Sequence, residues 1–543
     1  MRQILPRNPV SGHAGASHTY FALLRDGTVR SWGRNQYGQI GNGTRSGYGK
    51  TDADPSVPTA VTILAEKRSW FGKLSEVERP LSDVVDVVIS GGGGYHPISV
   101  YALRKDGSVW GWGANNAGQL GDGSTEVRSR PAQLGGLSGI VSLVAEPRMA
   151  SNIWPWMYAI TEAGAVWRWR PTQSGIAVPE PMADLSGVRS ISIAEGCVLA
   201  LTAGGAVWNW DAGSLTPSSP ALVSGLDDTI AVAAGRRSIA LRSDGSVWMW
   251  GWEPTKLGSR YSRTAERVEV VSGATSVCNS LGTYFAVCED GSVWAWGAGS
   301  RGQLGSGDGR HRLVPAVIDA VGNAAGLIAG HDTSFAIRSD GSLSAWGSNE
   351  FNKLALTREE ESEVVWDNLF ALRDVVSTAS GSGITVTVTR DGAVWETGSG
   401  NADESRPLRV GELADVTAVA ACRRTKFALR EDGSVWAWGD SQRNEIGDGT
   451  ILVPGPSLSG MVAQRLVPTR TQVPFGTVAI AAGDHTAYAL QRDGTVWAWG
   501  NNESGQLGNG ARRELSTFDS HGLSPAPIAS LSEVGTAARI GDI

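Results

Sequence analysis

One thirteen-residue pattern governs what this chain can become. At residues 488–500 it reads YALQRDGTVWAWG, two apolar runs folded about Asp493-Gly494. Asp-Gly between such runs is a strong hairpin signal, because the favoured two-residue turn needs positive φ at both central positions. That turn predicts Leu490 opposite Trp497 and Tyr488 opposite Trp499, with Ala489 opposite Ala498 on the other face. One face is then bulky and aromatic, the other nearly flat. A lone two-stranded ribbon is marginal in water, so a second copy must cover it, bulky face on flat face.

The chain supplies further copies. Turn glycines stand at Gly27, Gly107, Gly164, Gly205, Gly245, Gly291, Gly341, Gly392, Gly433 and Gly494, giving ten hairpins. Eight have Asp before the Gly; Ala163-Gly164 and Gly204-Gly205 are degenerate. Seven end in paired tryptophans, such as Trp436/Trp438 and Trp497/Trp499, while Trp32, Trp346 and Trp395 stand alone. Seventeen of the 22 tryptophans therefore belong to the repeat and need no functional explanation. After the hairpin the fuller copies continue with a glycine-rich loop, as at 115–123 (NNAGQLGDG), where Leu120 is placed to plug the core. A Pro-plus-apolar segment follows (Pro315-Ala316-Val317-Ile318), then an alanine-rich strand such as 478–483 (VAIAAG) that leads into the next hairpin. Four short strands per repeat make one propeller blade.

The pattern G-x-x-H-T-x-A-L-x-x-D-G-x-V-W-x-W-G-x-N-x-x-G-Q-L-G-x-G resembles the regulator of chromosome condensation repeat family. Residues 483–510 match nearly throughout, 15–43, 101–123 and 330–347 match well, and degenerate copies fill most of the rest. The resemblance implies an all-β propeller of four-stranded blades. The family is usually seven-bladed, whereas ten hairpins are countable here, and the spacing from Gly164 to Gly433 leaves no room for a linker. The expectation is one continuous ring of up to ten blades spanning 1–543. Seven blades with embellishments, or two five-bladed rings, are the alternatives. Residues 534–541 (VGTAARIG) repeat the strand that precedes a hairpin and could complete the first blade, removing two free sheet edges. Insertions are expected at about 44–90, 358–366 and 451–475.

Composition narrows the partner more than it names one. A net charge of −7 and a pI near 5.6 argue against nucleic acid or an anionic membrane, which want a basic face. Residues 1–10 lack the apolar core of a signal peptide, and no window approaches the ~20 apolar residues of a membrane span. Localisation stays open between the cytoplasm and non-classical export or a virion. The four cysteines show neither metal-ligand spacing nor a disulfide framework.

Candidate chemistry is thin. Residues 297–302 (GAGSRG) match G-x-G-x-x-G after a strand, but the following Gln303-Leu304-Gly305 cannot open the helix that a dinucleotide needs. His18, His331 and His485 recur at one repeat position in different blades, so each is expected to bond backbone within its own blade rather than share a metal. No nucleophile–base signature is present, and neither enzyme activity nor a cofactor is expected. The preferred function is a non-catalytic scaffold or recognition module that binds another protein. The founding family member is a nucleotide-exchange factor for a small GTPase and binds chromatin, so the resemblance implies exchange through an inserted wedge as a rival, although no exchange residue maps onto this chain. A surface or virion module for glycans or receptors is the third reading. The expected binding residues are Arg68, Trp70, Phe71 and Lys73, an aromatic pair between cations in the longest excursion from the repeat.

Overall fold

The structure is a computed structural model describing residues between 19 and 528. Outside the description lie 1–18, 47–56, 69–73, 92–97, 147–154, 172–176, 213–218, 348–373, 399–407, 451–463, 503–506, 509–521, 529–543 and scattered loop positions. Among the described residues there are ten sheets of three or four antiparallel strands and one two-stranded ribbon. The tenth sheet is typical: Thr477–Gly483, Thr486–Gln491, Val496–Gly500 and Gly522–Pro527 lie side by side in chain order. One turn of 3-10 helix, Asp319–Val321, is the sole helical segment among the described residues. This is a β-propeller fold. In every described sheet but the first, the strand that leads into the hairpin comes first, and such strands of successive sheets lie against one another, as Val375–Gly381 does with Val416–Cys422 and that strand with Thr477–Gly483. Small side chains permit that approach.

The hairpin register differs from expectation by one residue. Ala487 faces Trp499, Tyr488 faces Ala498, Ala489 faces Trp497 and Leu490 faces Val496. Gly494 has φ 88°, but Asp493 keeps an ordinary negative-φ backbone. Its Oδ1 instead accepts from the Thr495 amide (2.9 Å) and hydroxyl (2.7 Å). The connection is therefore a three-residue loop with glycine in the left-handed position, closed by Gln491 N–H donating to the Thr495 carbonyl at 2.8 Å. A one-residue slip re-pairs every side chain. Neither face is flat: one carries Ala487, Ala489 and both tryptophans, the other Tyr488, Leu490, Val496 and Ala498.

These mixed faces explain the stacking. Ala487, Ala489 and Trp499 share a core with Phe427, Leu429, Val435 and Ala437 of the ninth sheet (Val416–Cys422 to Gln464–Arg470). The aromatic pair recurs across junctions as Tyr101–Trp169, Phe285–Trp346 and Phe427–Trp499, with centroids 5.8, 6.0 and 5.9 Å apart. The glycine-rich loop of one sheet receives the next sheet's tryptophan: Trp112, Trp346 and Trp499 donate Nε1–H to the carbonyls of Gln39, Gln303 and Glu445 at 2.8, 2.8 and 2.7 Å. Leu120 is fully buried, as expected of the plug. The tenth sheet also meets the first, where Tyr488, Leu490 and Leu507 pack with Ala22, Leu24 and Trp32. Between the seventh sheet (Ala324–Ala329 to Leu343–Gly347) and the eighth (Val375–Gly381 to Leu408–Arg409) lie residues outside the description.

The expected insertions are only partly departures from the repeat. Within 44–90, Thr59–Ala60 is the first sheet's outer strand and Val84–Gly91 begins the second sheet; Thr62–Arg68 and Leu74–Pro80 between them form the ribbon. Within 451–475, Gln464–Arg470 is the ninth sheet's outer strand, its length accommodated by a register shift between Ala437 and Gly439. The segment 358–366 and the segment 534–541, expected to close the ring, lie outside the described residues.

Candidate interaction surfaces

Of the candidate residues Arg68, Trp70, Phe71 and Lys73, the structure describes only the backbone of Arg68. Arg68 closes the ribbon's first strand, paired with Leu74 across the ladder. Trp70, Phe71 and Lys73 lie in 69–73, between the two ribbon strands in sequence and outside the described residues. A ribbon of two strands gains little from its own ladder, so its base matters. There Glu78 Oε1 accepts from the Arg130 guanidinium of the second sheet (2.8 Å) and from the Thr62 hydroxyl (2.7 Å), while Arg130 also donates to the Thr62 hydroxyl. The hydrogen bond from Arg130, followed by that from Thr62, holds the Glu78 carboxyl below its usual range. The base is thus tied to the sheet stack by a charged cluster.

His485 corrects the expectation for its repeat position. Its Nδ1 lies 2.5 Å from Glu445 Oε1 and its Nε2 3.1 Å from an Arg423 Nη, both on the ninth sheet rather than its own. The cause is a replacement within the repeat. Gln39, Gln119 and Gln303 turn their Oε1 back onto the amide two residues earlier, and Glu445 does the same with Oε2 to Arg443 (2.7 Å). Carrying a second carboxylate oxygen, with a side chain only 1% exposed, Glu445 has Oε1 left for the neighbouring histidine. A largely buried ion pair, Lys426 with Glu396 at 3.2 Å, joins the eighth and ninth sheets, and Trp438 Nε1 donates to the same carboxylate at 2.5 Å. Both pairs bridge adjacent sheets. His18 and His331 lie outside the described residues. Among the described residues no group of three or more His, Cys, Asp or Glu is arranged to hold a metal. No described helix is long and apolar enough to cross a membrane.

The G-x-G-x-x-G stretch does not build a nucleotide site. After Val293–Gly297 the chain enters turns, Gly302 (φ 74°) and Gly305 (φ 67°) adopt left-handed backbone, and no helix begins. Leu304 is buried as the plug of that loop.

One exposed aromatic was missed by the sequence reading. In the fifth sheet, Val247–Thr255 and Gly258–Arg267 run past the usual strand end at Gly251 through the pairs Trp252–Tyr261, Glu253–Arg260, Pro254–Ser259 and Thr255–Gly258. Trp252 is 51% exposed, the only exposed tryptophan among the described residues. Its sequence signal is Trp248-Met249-Trp250-Gly251-Trp252: a third tryptophan in alternation, with no Gly-Gln-Leu-Gly loop after it.

The comparisons with known proteins agree with the repeat. Models described as the regulator of chromosome condensation (RCC1) repeat match residues 13–39 and 478–506, and 106–145, 290–337 and 493–540. The E3 ubiquitin-protein ligase HERC2 of Homo sapiens is 27% identical over 397 residues, covering 66% of this chain but only 7% of that protein's length. The ultraviolet-B receptor UVR8 of Arabidopsis thaliana is 27% identical over 381 residues, 58% of this chain and 83% of that one. Among solved structures, Prp20p of Saccharomyces cerevisiae aligns at 19% identity and a TM-score of 0.34, covering 78% of this chain and 87% of its own. The repeat matches, together with the stacked four-stranded sheets, support the regulator of chromosome condensation repeat family for this chain.

Proposed function

We propose that the chain is a non-catalytic interaction platform that engages another protein through the tip of its inserted ribbon, at Arg68, Trp70, Phe71 and Lys73. The observation that carries this reading is the ribbon itself. It is the one described sheet outside the three- or four-strand pattern, and a charged cluster ties its base to the second sheet. An aromatic pair flanked by cations in the sequence between the ribbon strands fits the makeup of interface hot spots, which favour Trp and Arg. We further infer that residues 1–543 form one continuous ring, supported by the core shared between the first and tenth sheets.

The double variant Trp70→Ala, Phe71→Ala tests the partner site. An interface pair leaves the melting temperature within about 1 °C of wild type, because surface changes away from the core are worth at most ~0.5 kcal/mol, and abolishes capture of the partner recovered by crosslinking. A fall in melting temperature with capture intact identifies a loop anchor and rejects the proposal. Accelerated nucleotide release from a captured GTPase, or glycan-array binding lost in the variant, would replace the scaffold reading.

A further inference from the structure

The fifth-sheet projection is a second surface, far in sequence from the ribbon. In an antiparallel meander the first turn and the third-to-fourth loop share one end of the sheet, while the hairpin turn lies at the other. Trp252 stands at the former end, where the third strand has overrun its usual stop at Gly251. Two contacts fix its setting. Its amide donates to the Arg236 carbonyl at 2.9 Å, and its ring meets Tyr261 edge-on, with centroids 5.5 Å apart and planes at 68°. Tyr261 is held in turn, donating its hydroxyl to Asn209 Oδ1 of the fourth sheet, whose Nδ2 donates to Cys197 Sγ at 3.1 Å. The exposed indole therefore rests on a chain of contacts that ends in the neighbouring sheet's buried interior.

An indole half open to water is costly to leave bare, and a tryptophan braced by a tyrosine is a low-entropy anchor for a partner. The charges around it select that partner. Arg236 and Arg263 are exposed and Arg237 is half-buried at this end, and the exposed carboxylate of Asp211 lies near Tyr261 with Arg263. Guanidinium groups bind carboxylates in two-pronged fashion and also stack on aromatic rings. A short ligand samples the field within a Debye length of about 10 Å, where cations predominate. A long polyanion runs on over a chain of net charge −7 and loses that advantage. We propose that the Trp252–Tyr261 projection, with Arg236 and Arg263 at its rim, is a docking site for a short acidic peptide segment of a partner protein, its apolar side chains on the indole and its carboxylates on the guanidinium groups.

Fluorescence anisotropy tests this on the full chain. The probe is a fluorescein-labelled dodecapeptide of Glu, Asp, Leu and Pro, with a Lys-for-acid version and a Gly-Ser peptide as controls, at 50 and 300 mM salt. The acidic peptide binds, the controls do not, and salt weakens binding. Trp252→Ala and Arg263→Glu each weaken it at least tenfold while the melting temperature holds. Trp70→Ala, Phe71→Ala leaves it unchanged, which separates this site from the ribbon. Absence of acidic-peptide binding overturns the proposal, as does equal binding of the Lys peptide or indifference to both variants. A glycan array that captures the wild type and not Trp252→Ala, without peptide binding, reassigns the surface to sugar and overturns it too.

Discussion

The junction between the ninth and tenth sheets offers the sharpest test of how this protein holds together. Gly447 sits in the ninth sheet's glycine-rich loop with φ 69°, and a Cβ built there would lie 2.6 Å from Trp499 Cδ1 and 2.7 Å from its Nε1. Gly447→Ala therefore meets two costs. The left-handed backbone costs about 1–2 kcal/mol for a residue with a side chain, and overpacking against a ring that is itself fully buried adds roughly 1–3 kcal/mol. Relief by moving either partner strains the Trp499 Nε1–Glu445 carbonyl bond, whose loss costs about 1 kcal/mol. Gly273→Ala isolates the first cost, since Gly273 has φ 64° and nothing within 4 Å of its built Cβ. The difference between the variants, about 1–3 kcal/mol, belongs to the tryptophan contact. In a stacked array this loss is local before it is global, so the assay is hydrogen exchange of the Trp499 indole N–H beside a melting curve. Exchange should quicken on the order of 5- to 150-fold more in Gly447→Ala than in Gly273→Ala, at ~1.4 kcal/mol per factor of ten. Equal exchange rates and equal melting temperatures in the two variants would refute the loop-on-tryptophan account.

Two further outcomes are expected. For the ring, small-angle scattering should return a radius of gyration of about 24 Å, the value chain-length scaling assigns to one compact body; a markedly larger value with a two-lobed distance distribution supports two rings instead. For the turns, hydrogen bonds from Ser108, Ser246 and Ser434 hold the carboxyls of Asp106, Asp244 and Asp432 below the ordinary range. A carboxyl depressed in the folded state stabilises above its unfolded pKa of about 3.9 and loses that contribution as pH falls through the folded value. The triple change of these residues to Asn should flatten the acid side of a urea-midpoint profile below about pH 4, and a profile parallel to wild type would reject the assignment.

Much of the architecture was readable from the residues alone. Ten Gly-centred hairpins, the Trp alternation and the Gly-Gln-Leu-Gly loops each state a local conformation, and local conformations repeated at blade length leave few alternatives to stacked sheets. Local competition defeated the finer reading. Asp493 accepts hydrogen bonds from Thr495 and so keeps a negative φ, which shifts the pairing by one residue and sets Ala489 against Trp497. Contacts between sheets were out of reach for a different reason. Glu445 and His485 are forty positions apart, and only the stacking brings the spare carboxylate oxygen of one loop to the imidazole of the next. The functional surfaces divide along the same line. Arg68, Trp70, Phe71 and Lys73 stand out in the sequence because they leave the repeat. Trp252 stays hidden because it continues the repeat's own alternation. Its exposure comes with the fifth sheet's strands running on past Gly251.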